Sequence, residues 1–248
     1  MLTPQTLQSH LEAIGVDPVG TLIVHLSYKA IGEVEGRGDG VLDALMWYMS
    51  DGLLVLPTHT WDNVSIHNPV MDVLYTPSCV GVLTELFRKR PGVHRSLHPT
   101  HSLAAVGKGA REFVYGEQYV ETPCGEGGAY YKLWERDAQI LLIGVNFTCN
   151  TFIHGIEDWD GAIGSISDER IDFYVIDQQG NRLYTPQYRH CTGPGSRTFT
   201  KLEPDALHQG IMTLGTFGHA TTRLMRAKPL RQMVAGLIAA DPAYLQRY

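Results

Sequence analysis

The stretch ILLIGVNFTCNTFIHGIE, from Ile140 to Glu157, decides how the rest of the chain is read. It opens with an unbroken apolar run, Ile140 to Val145, the pattern of a strand covered on both faces. It breaks into the polar turn Asn146 to Thr151 and resumes at helical spacing, with His154 and Glu157 three residues apart on one face. Ligands of open α/β sheets sit beyond the carboxyl ends of the strands, so a buried strand leading to a helix with His and Glu is a common way to build a site. The same pattern also describes an ordinary loop with a partly exposed histidine, and spacing alone leaves both readings open.

Working outward, helical and buried-strand patterns alternate on both sides of this stretch. Thr3 and Pro4 start a helix whose stripe is Leu7, Leu11 and Ile14, and Gly15 stops it. The β-branched run Thr21–Leu26 predicts a strand, followed by the glycine-rich segment Gly36-Arg-Gly-Asp-Gly40 and a helix over Val41–Met49. A second buried strand, Leu53–Leu56, runs into Pro57-Thr-His-Thr-Trp61, and residues 62–78 read as an irregular excursion. Downstream, helices are predicted over Gly81–Lys89, Gly107–Tyr115 and Tyr131–Arg136, and a short strand over Leu103–Val106. Beyond Glu157, the runs Ile171–Ile176 and Arg182–Tyr188 flank Asp177-Gln-Gln-Gly-Asn181 as a β-hairpin, followed by the glycine loop Gly193-Pro-Gly195. A short helix at Glu203–Gln209, a strand or two within Gly210–Met225 and a closing helix at Pro229–Ala239 complete the pattern. The expectation is one α/β domain spanning 1–248, with a central mixed, mostly parallel sheet flanked by helices and a hairpin insertion in the C-terminal half.

Composition narrows the function. The chain has 248 residues, 44% apolar and 19% charged, which is globular and long enough for a substantial core. A net charge of −6 argues against a nucleic-acid partner. The four cysteines are scattered without a CxxC pair, which argues against a disulfide framework and for a reducing compartment. The first residues lack a basic-then-apolar leader pattern and no apolar run reaches membrane-spanning length, so a soluble cytoplasmic protein is expected.

Two motifs invite chemistry. Strand, glycine-rich loop and helix is an arrangement in which backbone amides can cradle phosphates, although the loop here is neither GxGxxG nor a Walker sequence. His98 and His101, with Pro99 between them, join His25, His59 and His154 in raising the question of a metal. No HExxH, acidic ligand cluster or Cys–His spacing accompanies them, so no metal is expected.

Taken together and in order, the motifs resemble a known family. His25-x-Ser27 with Ile31-Gly32, Pro57-Thr-His-Thr-Trp61, Arg95-Ser-x-His98-Pro-x-x-Ser102, Cys124-Gly-Glu-Gly, Leu141-Leu-Ile-Gly144 and Asn150-Thr-x-x-His154-x-x-Glu157 resemble the aminoglycoside 3-N-acetyltransferases, a superfamily of antibiotic resistance enzymes. The resemblance implies transfer of acetyl from the co-substrate acetyl-CoA to a small-molecule amine. It implies that His154 is the catalytic base, with Glu157 as the first choice of orienting carboxylate. Ser27, Tyr28, Lys29, Ala30, Ile31, Gly32, Val34, Gly36 and Arg37 would hold coenzyme A. Thr58, Trp61, His98, His101, Ser102, Arg189 and His190 would line the acceptor side, and a homodimer is the assembly allowed for. The chain departs from the family at Gly128-Ala129, where Ser-Pro is frequent, and at Arg37, which replaces one of two paired glycines. Aminoglycoside-acting members carry acidic residues on the later hairpin, where this chain has Gln187-Tyr-Arg-His190. The acceptor is therefore open between an aminoglycoside and another amine, including one whose anionic group Arg189 or Arg197 could meet. A thioester hydrolase and a catalytically silent binding protein are the alternatives on the same scaffold.

Overall fold

A chain that buries apolar runs on both faces must place helices on either side of a sheet. In the computed structural model, which describes residues 1–191 and 195–247, the chain opens with α1 (Pro4–Ile14). The Thr3 hydroxyl caps α1 by accepting from the Thr6 amide at 3.1 Å, and Gly15 ends it at φ 90°, a left-handed conformation that glycine takes without strain. Next come β1 (Thr21–Leu26), the single turn α2 (Tyr28–Ile31), α3 (Arg37–Tyr48) and β2 (Leu53–Pro57). The middle of the chain adds β3 (Val70–Asp72), α4 (Val82–Phe87), β4 (His94–Arg95), β5 (Leu103–Gly107), α5 (Ala110–Val114), α6 (Ala129–Glu135) and β6 (Gln139–Ile143). The remainder holds α7 (Phe152–Trp159), β7 (Tyr174–Ile176), β8 (Arg182–Tyr184), α8 (Glu203–His208), β9 (Met212–Phe217), β10 (Ala220–Arg226) and α9 (Ala227–Ala240).

Seven strands form one mixed sheet in the order β4-β5-β2-β1-β6-β10-β9. The α/β class is as the sequence indicates, but the parallel part is confined to its centre. There β1 pairs with β2 on one side and β6 on the other. The four outer pairings are antiparallel. The reason is connectivity. A parallel neighbour needs a crossover such as α3 between β1 and β2, whereas the tight turn at Gly218-His219 forces β9 and β10 to run oppositely.

The strands feed two cores by simple alternation. Leu22, Val24, Leu54, Leu56, Leu141 and Ile143 pack against α1, α3 and α4. Ile23, Val55, Ile140 and Leu142 face the opposite way, into Phe113, Tyr130, Phe152, Ile156 and Val234 of α5, α6, α7 and α9.

Three local expectations change. The helix expected from Val41 begins at Arg37, so Gly38 and Gly40 lie within its first turns and are buried. A Cβ at Gly40 would overlap the Glu35 carbonyl oxygen, and one at Gly38 would sit 3.0–3.1 Å from the Leu83 and Leu86 side chains. These glycines permit close packing of a helix rather than freedom of a loop. The excursion 62–78 contains β3, which pairs in parallel with β7 to make a second, three-stranded sheet with β8. The hairpin is present but its strands are shorter than expected, and its turn is held by Asp177 Oδ1, which accepts from the amides of Gln179 and Asn181. Gly193 and Pro194 of the expected glycine loop lie outside the described residues.

Candidate active site

The carboxyl ends of the three parallel strands open on one cleft of about 410 Å³. His25 and Leu26 come from the end of β1, Pro57, His59 and Trp61 from the exit of β2, and Val145, Thr148, Cys149 and Thr151 from the exit of β6. This is where ligands collect in α/β sheets. His154 enters from α7, and the chain leaving the hairpin brings Arg189 and His190 to the same wall.

α7 turns Phe152, Ile153 and Ile156 into the core, which fixes the helix so that its i and i+3 side chains meet. His154 Nδ1 lies 2.7 Å from Glu157 Oε2. The other oxygen, Oε1, accepts from Gln246 Nε2 at 3.1 Å, so the carboxylate is held from both sides. The His154 ring rests on His190 at 4.3 Å between centroids and on Phe199 at 4.8 Å. Burial acts on both partners. It pulls His154 down to about 4 and pushes Glu157 up to about 8, because each charged form loses hydration. Once Glu157 is ionised, above about 8, the neutral ring beside it gains by taking up one proton, which is a useful property in a base.

Around this pair stand five more buried histidine rings, each kept neutral chiefly by burial. His25 and His98 are lowered to about 4, and His59, His101 and His190 well below the ordinary histidine range. His59 Nε2 pairs with the Tyr130 hydroxyl at 2.8 Å, and His101 sits 4.7 Å from the His59 ring and 5.1 Å from the His190 ring. In His98, Nδ1 accepts from the amides of Thr100 and His101, so Nε2 carries the proton and donates to the Thr122 carbonyl at 3.2 Å. His190 differs. Its two ring nitrogens are buried and make no hydrogen bond among the described residues, with the Ser165 backbone close by. Among the described residues no group of three or more His, Cys, Asp or Glu side chains has the geometry to hold a metal ion.

The residues expected on the acceptor side divide into walls and supports. Trp61, His101, Arg189 and His190 line the cleft, whereas Thr58, His98 and Ser102 do not. Thr58 and Ser102 are fully buried and bound to Arg95, whose Nη2 donates to the Thr58 carbonyl at 2.7 Å and whose Nε donates to Ser102 Oγ at 3.1 Å. Ser102 Oγ in turn donates to the Thr58 carbonyl at 2.8 Å. A buried guanidinium has to find acceptors, and these two residues help to supply them. Arg197 also lies off the cleft wall. Sequence reasoning missed His25 and His59 as walls and Phe199 as the platform under His154. It also missed Glu117, which caps α6 by accepting from the Ala129 amide and is raised to about 7 by burial. His25 and His59 were within reach, since both sit inside motifs at strand ends. Phe199 and Gln246 carry no local signal, because only the tertiary fold brings them to His154.

The nine residues expected to hold coenzyme A are not brought to one surface. Tyr28, Lys29, Gly32, Val34, Gly36 and Arg37 line a groove of about 570 Å³ at the start of α3. Ser27 faces an adjoining groove beside Gly81, and Ala30 a third with His219 and Arg223. The Ile31 side chain is in the core and offers a ligand nothing. Lys29 and Arg37 give the first groove two cations against Glu33, which suits phosphates at the N-terminus of a twelve-residue helix.

The chain is 30% identical over 173 residues to the aminoglycoside N(3')-acetyltransferase-like protein YokD of Bacillus subtilis, a match that covers 61% of this chain and 63% of that protein. It is 26% identical to aminoglycoside N(3)-acetyltransferase IV of Salmonella, over 92% of this chain and 84% of the relative. Its fold matches a crystal structure of aminoglycoside acetyltransferase AAC(3)-IVa in complex with a gentamicin, with TM-score 0.86 and 23% identity over 100% of this chain and 92% of that one. It also matches AAC-IIIb in a binary complex with CoASH, with TM-score 0.84 and 22% identity over 96% of each chain. Residues 23–239 match the family described as aminoglycoside 3-N-acetyltransferase, and the chain belongs to that family of acyltransferases.

Proposed function

We propose that this protein transfers acetyl from acetyl-CoA to the amine of a small molecule, with His154 as general base and Glu157 as its positioning residue. The observation that carries the reading is the 2.7 Å pairing of His154 Nδ1 with Glu157 Oε2 on the wall of the cleft. An ionised Glu157 accepts from Nδ1–H and so keeps the Nε2 lone pair toward the cleft. The neutral amine attacks the thioester carbonyl, and Nε2 takes the proton that the nitrogen must lose. The imidazolium that forms faces Glu157, so the buried pair is then neutral overall. Breaking of the carbon–sulfur bond releases the thiolate, to which the imidazolium returns the proton.

Acetyl-CoA supplies the activated acyl group. Lys29 and Arg37, with the first amides of α3, are the residues suited to its phosphates. The co-substrate also agrees with the CoASH complex of AAC-IIIb. The match to YokD spans 63% of that protein's length, and the acetyl transfer proposed here rests on the pair and the cleft together.

Release of thiol from acetyl-CoA, followed with and without amines, tests the reading. Amine-dependent release is expected. His154→Ala should lower turnover roughly a hundredfold or more while coenzyme A still binds. Release independent of any amine would point to a hydrolase instead, and near wild-type turnover in His154→Ala would remove His154 from the mechanism.

A further inference from the structure

Charge is the most selective property of the cleft. Among the described residues no aspartate or glutamate lines it, and Arg189 is the one lining side chain that is permanently charged. The Arg189 backbone amide is held by Ser167 Oγ, but its guanidinium takes part in none of the ion pairs among the described residues. Next to it His190 turns a ring whose two buried nitrogens have no partner among those residues. Thr192-Gly-Pro194 follow in sequence and bring no acidic side chain. The carboxylate closest in the chemistry, Glu157, is already committed to His154 and Gln246. Asp158 accepts from the Thr122 hydroxyl and is off the wall.

A polycation entering here would meet a guanidinium and neutral rings, with no counter-charge for its ammonium groups. An oxyanion would meet a planar, bidentate donor in Arg189 and could also accept from an N–H of His190. Because His190 stacks on His154, an anion held by Arg189 and His190 lies on the side of the cleft where the base works.

We infer that the acceptor is an amine that also carries an anionic group, a carboxylate or a phosphate-type oxyanion, which Arg189 and His190 bind while the amine meets His154. The inference rests on the acetyl-transfer reading above and adds the class of its second substrate. It sets this chain apart from a relative whose structure holds a gentamicin.

The test uses four amines with saturating acetyl-CoA: a linear diamine, an ω-amino carboxylate and an aminoalkylphosphonate of matched length, and gentamicin. Affinity for each is measured by calorimetry in the presence of coenzyme A, and thiol release is measured separately. The anionic amines are expected to bind and turn over at least tenfold better than the diamine or gentamicin, and the carboxylate and phosphonate arms tell the two oxyanions apart. Arg189→Gln should weaken the anionic amines at least tenfold without changing the KM for acetyl-CoA. Equal or tighter binding of the diamine or gentamicin, or indifference of the anionic amines to Arg189→Gln, would overturn the inference. Absence of thiol release with every amine would instead strike the acetyl-transfer reading, while calorimetry still reports the charge preference.

Discussion

His154 and Glu157 titrate as one unit, because a proton added to either is felt at 2.7 Å by the other. In the proposed mechanism the competent state has Glu157 ionised and His154 neutral, and burial opposes that negative charge by raising Glu157 to about 8. Activity should therefore fall as pH drops below about 8. Glu157→Gln removes the charge that holds the extra proton, leaving a ring that burial alone lowers to about 4. The acid limb of kcat/KM should move to lower pH, and turnover should drop roughly ten- to a hundredfold because the imidazolium loses its counter-charge. Wild type and variant are profiled with one amine, so that its own ionisation is common. An unmoved limb would separate Glu157 from the proton transfer. At this scale the sequence was informative where chemistry and spacing coincide, as in the i,i+3 pair on α7. It was uninformative for Thr58 and Ser102, since a polar residue serving buried Arg95 has the same local pattern as one facing a ligand.

Among the elements, α1, β1, β2 and β6 were legible because each carries a long apolar signal of a single period. β3 was not, being three residues long and dependent on β7, about a hundred positions away. α3 was misjudged at its start because glycines that allow tight packing read as loop glycines. Substitution separates the two kinds. Gly40→Ala should destabilise the protein by about 1–3 kcal/mol through overlap with the Glu35 carbonyl. Gly236→Ala, in the interior of α9 with open space around its Cβ, should stabilise it by roughly 0.5–1 kcal/mol. Thermal melts of the two variants should move in opposite directions, and a neutral Gly40→Ala would refute the packing argument.

For the molecule as a whole, the buried histidines tie stability to pH. Six of them, His25, His59, His98, His101, His154 and His190, have folded values below 6.5. Below 6.5 the unfolded chain binds protons that the folded chain refuses, so stability present above that value is lost as pH falls toward about 4. Glu117 and Glu157, raised to about 7 and about 8, work the other way and weaken the fold as pH rises toward those values. Histidines outnumber them, so the unfolding free energy should fall between about pH 6.5 and 4.5 by ~1.4 kcal/mol per pH unit for each net proton taken up on unfolding, and the melting temperature should fall with it. A flat melting temperature across that range would mean that the rings are hydrated in solution. The hydrogen bond from Gln246 to Glu157 has a kinetic meaning of its own. It joins residues 89 apart in sequence, and Gln246 lies on a single short turn, the kind of segment that opens locally before a domain unfolds. Each such opening would release one side of the Glu157 carboxylate with the sheet still intact. Gentle heat or urea should then silence the enzyme before circular dichroism records any change, and amide hydrogen exchange at the C-terminal turn would set the pace of inactivation.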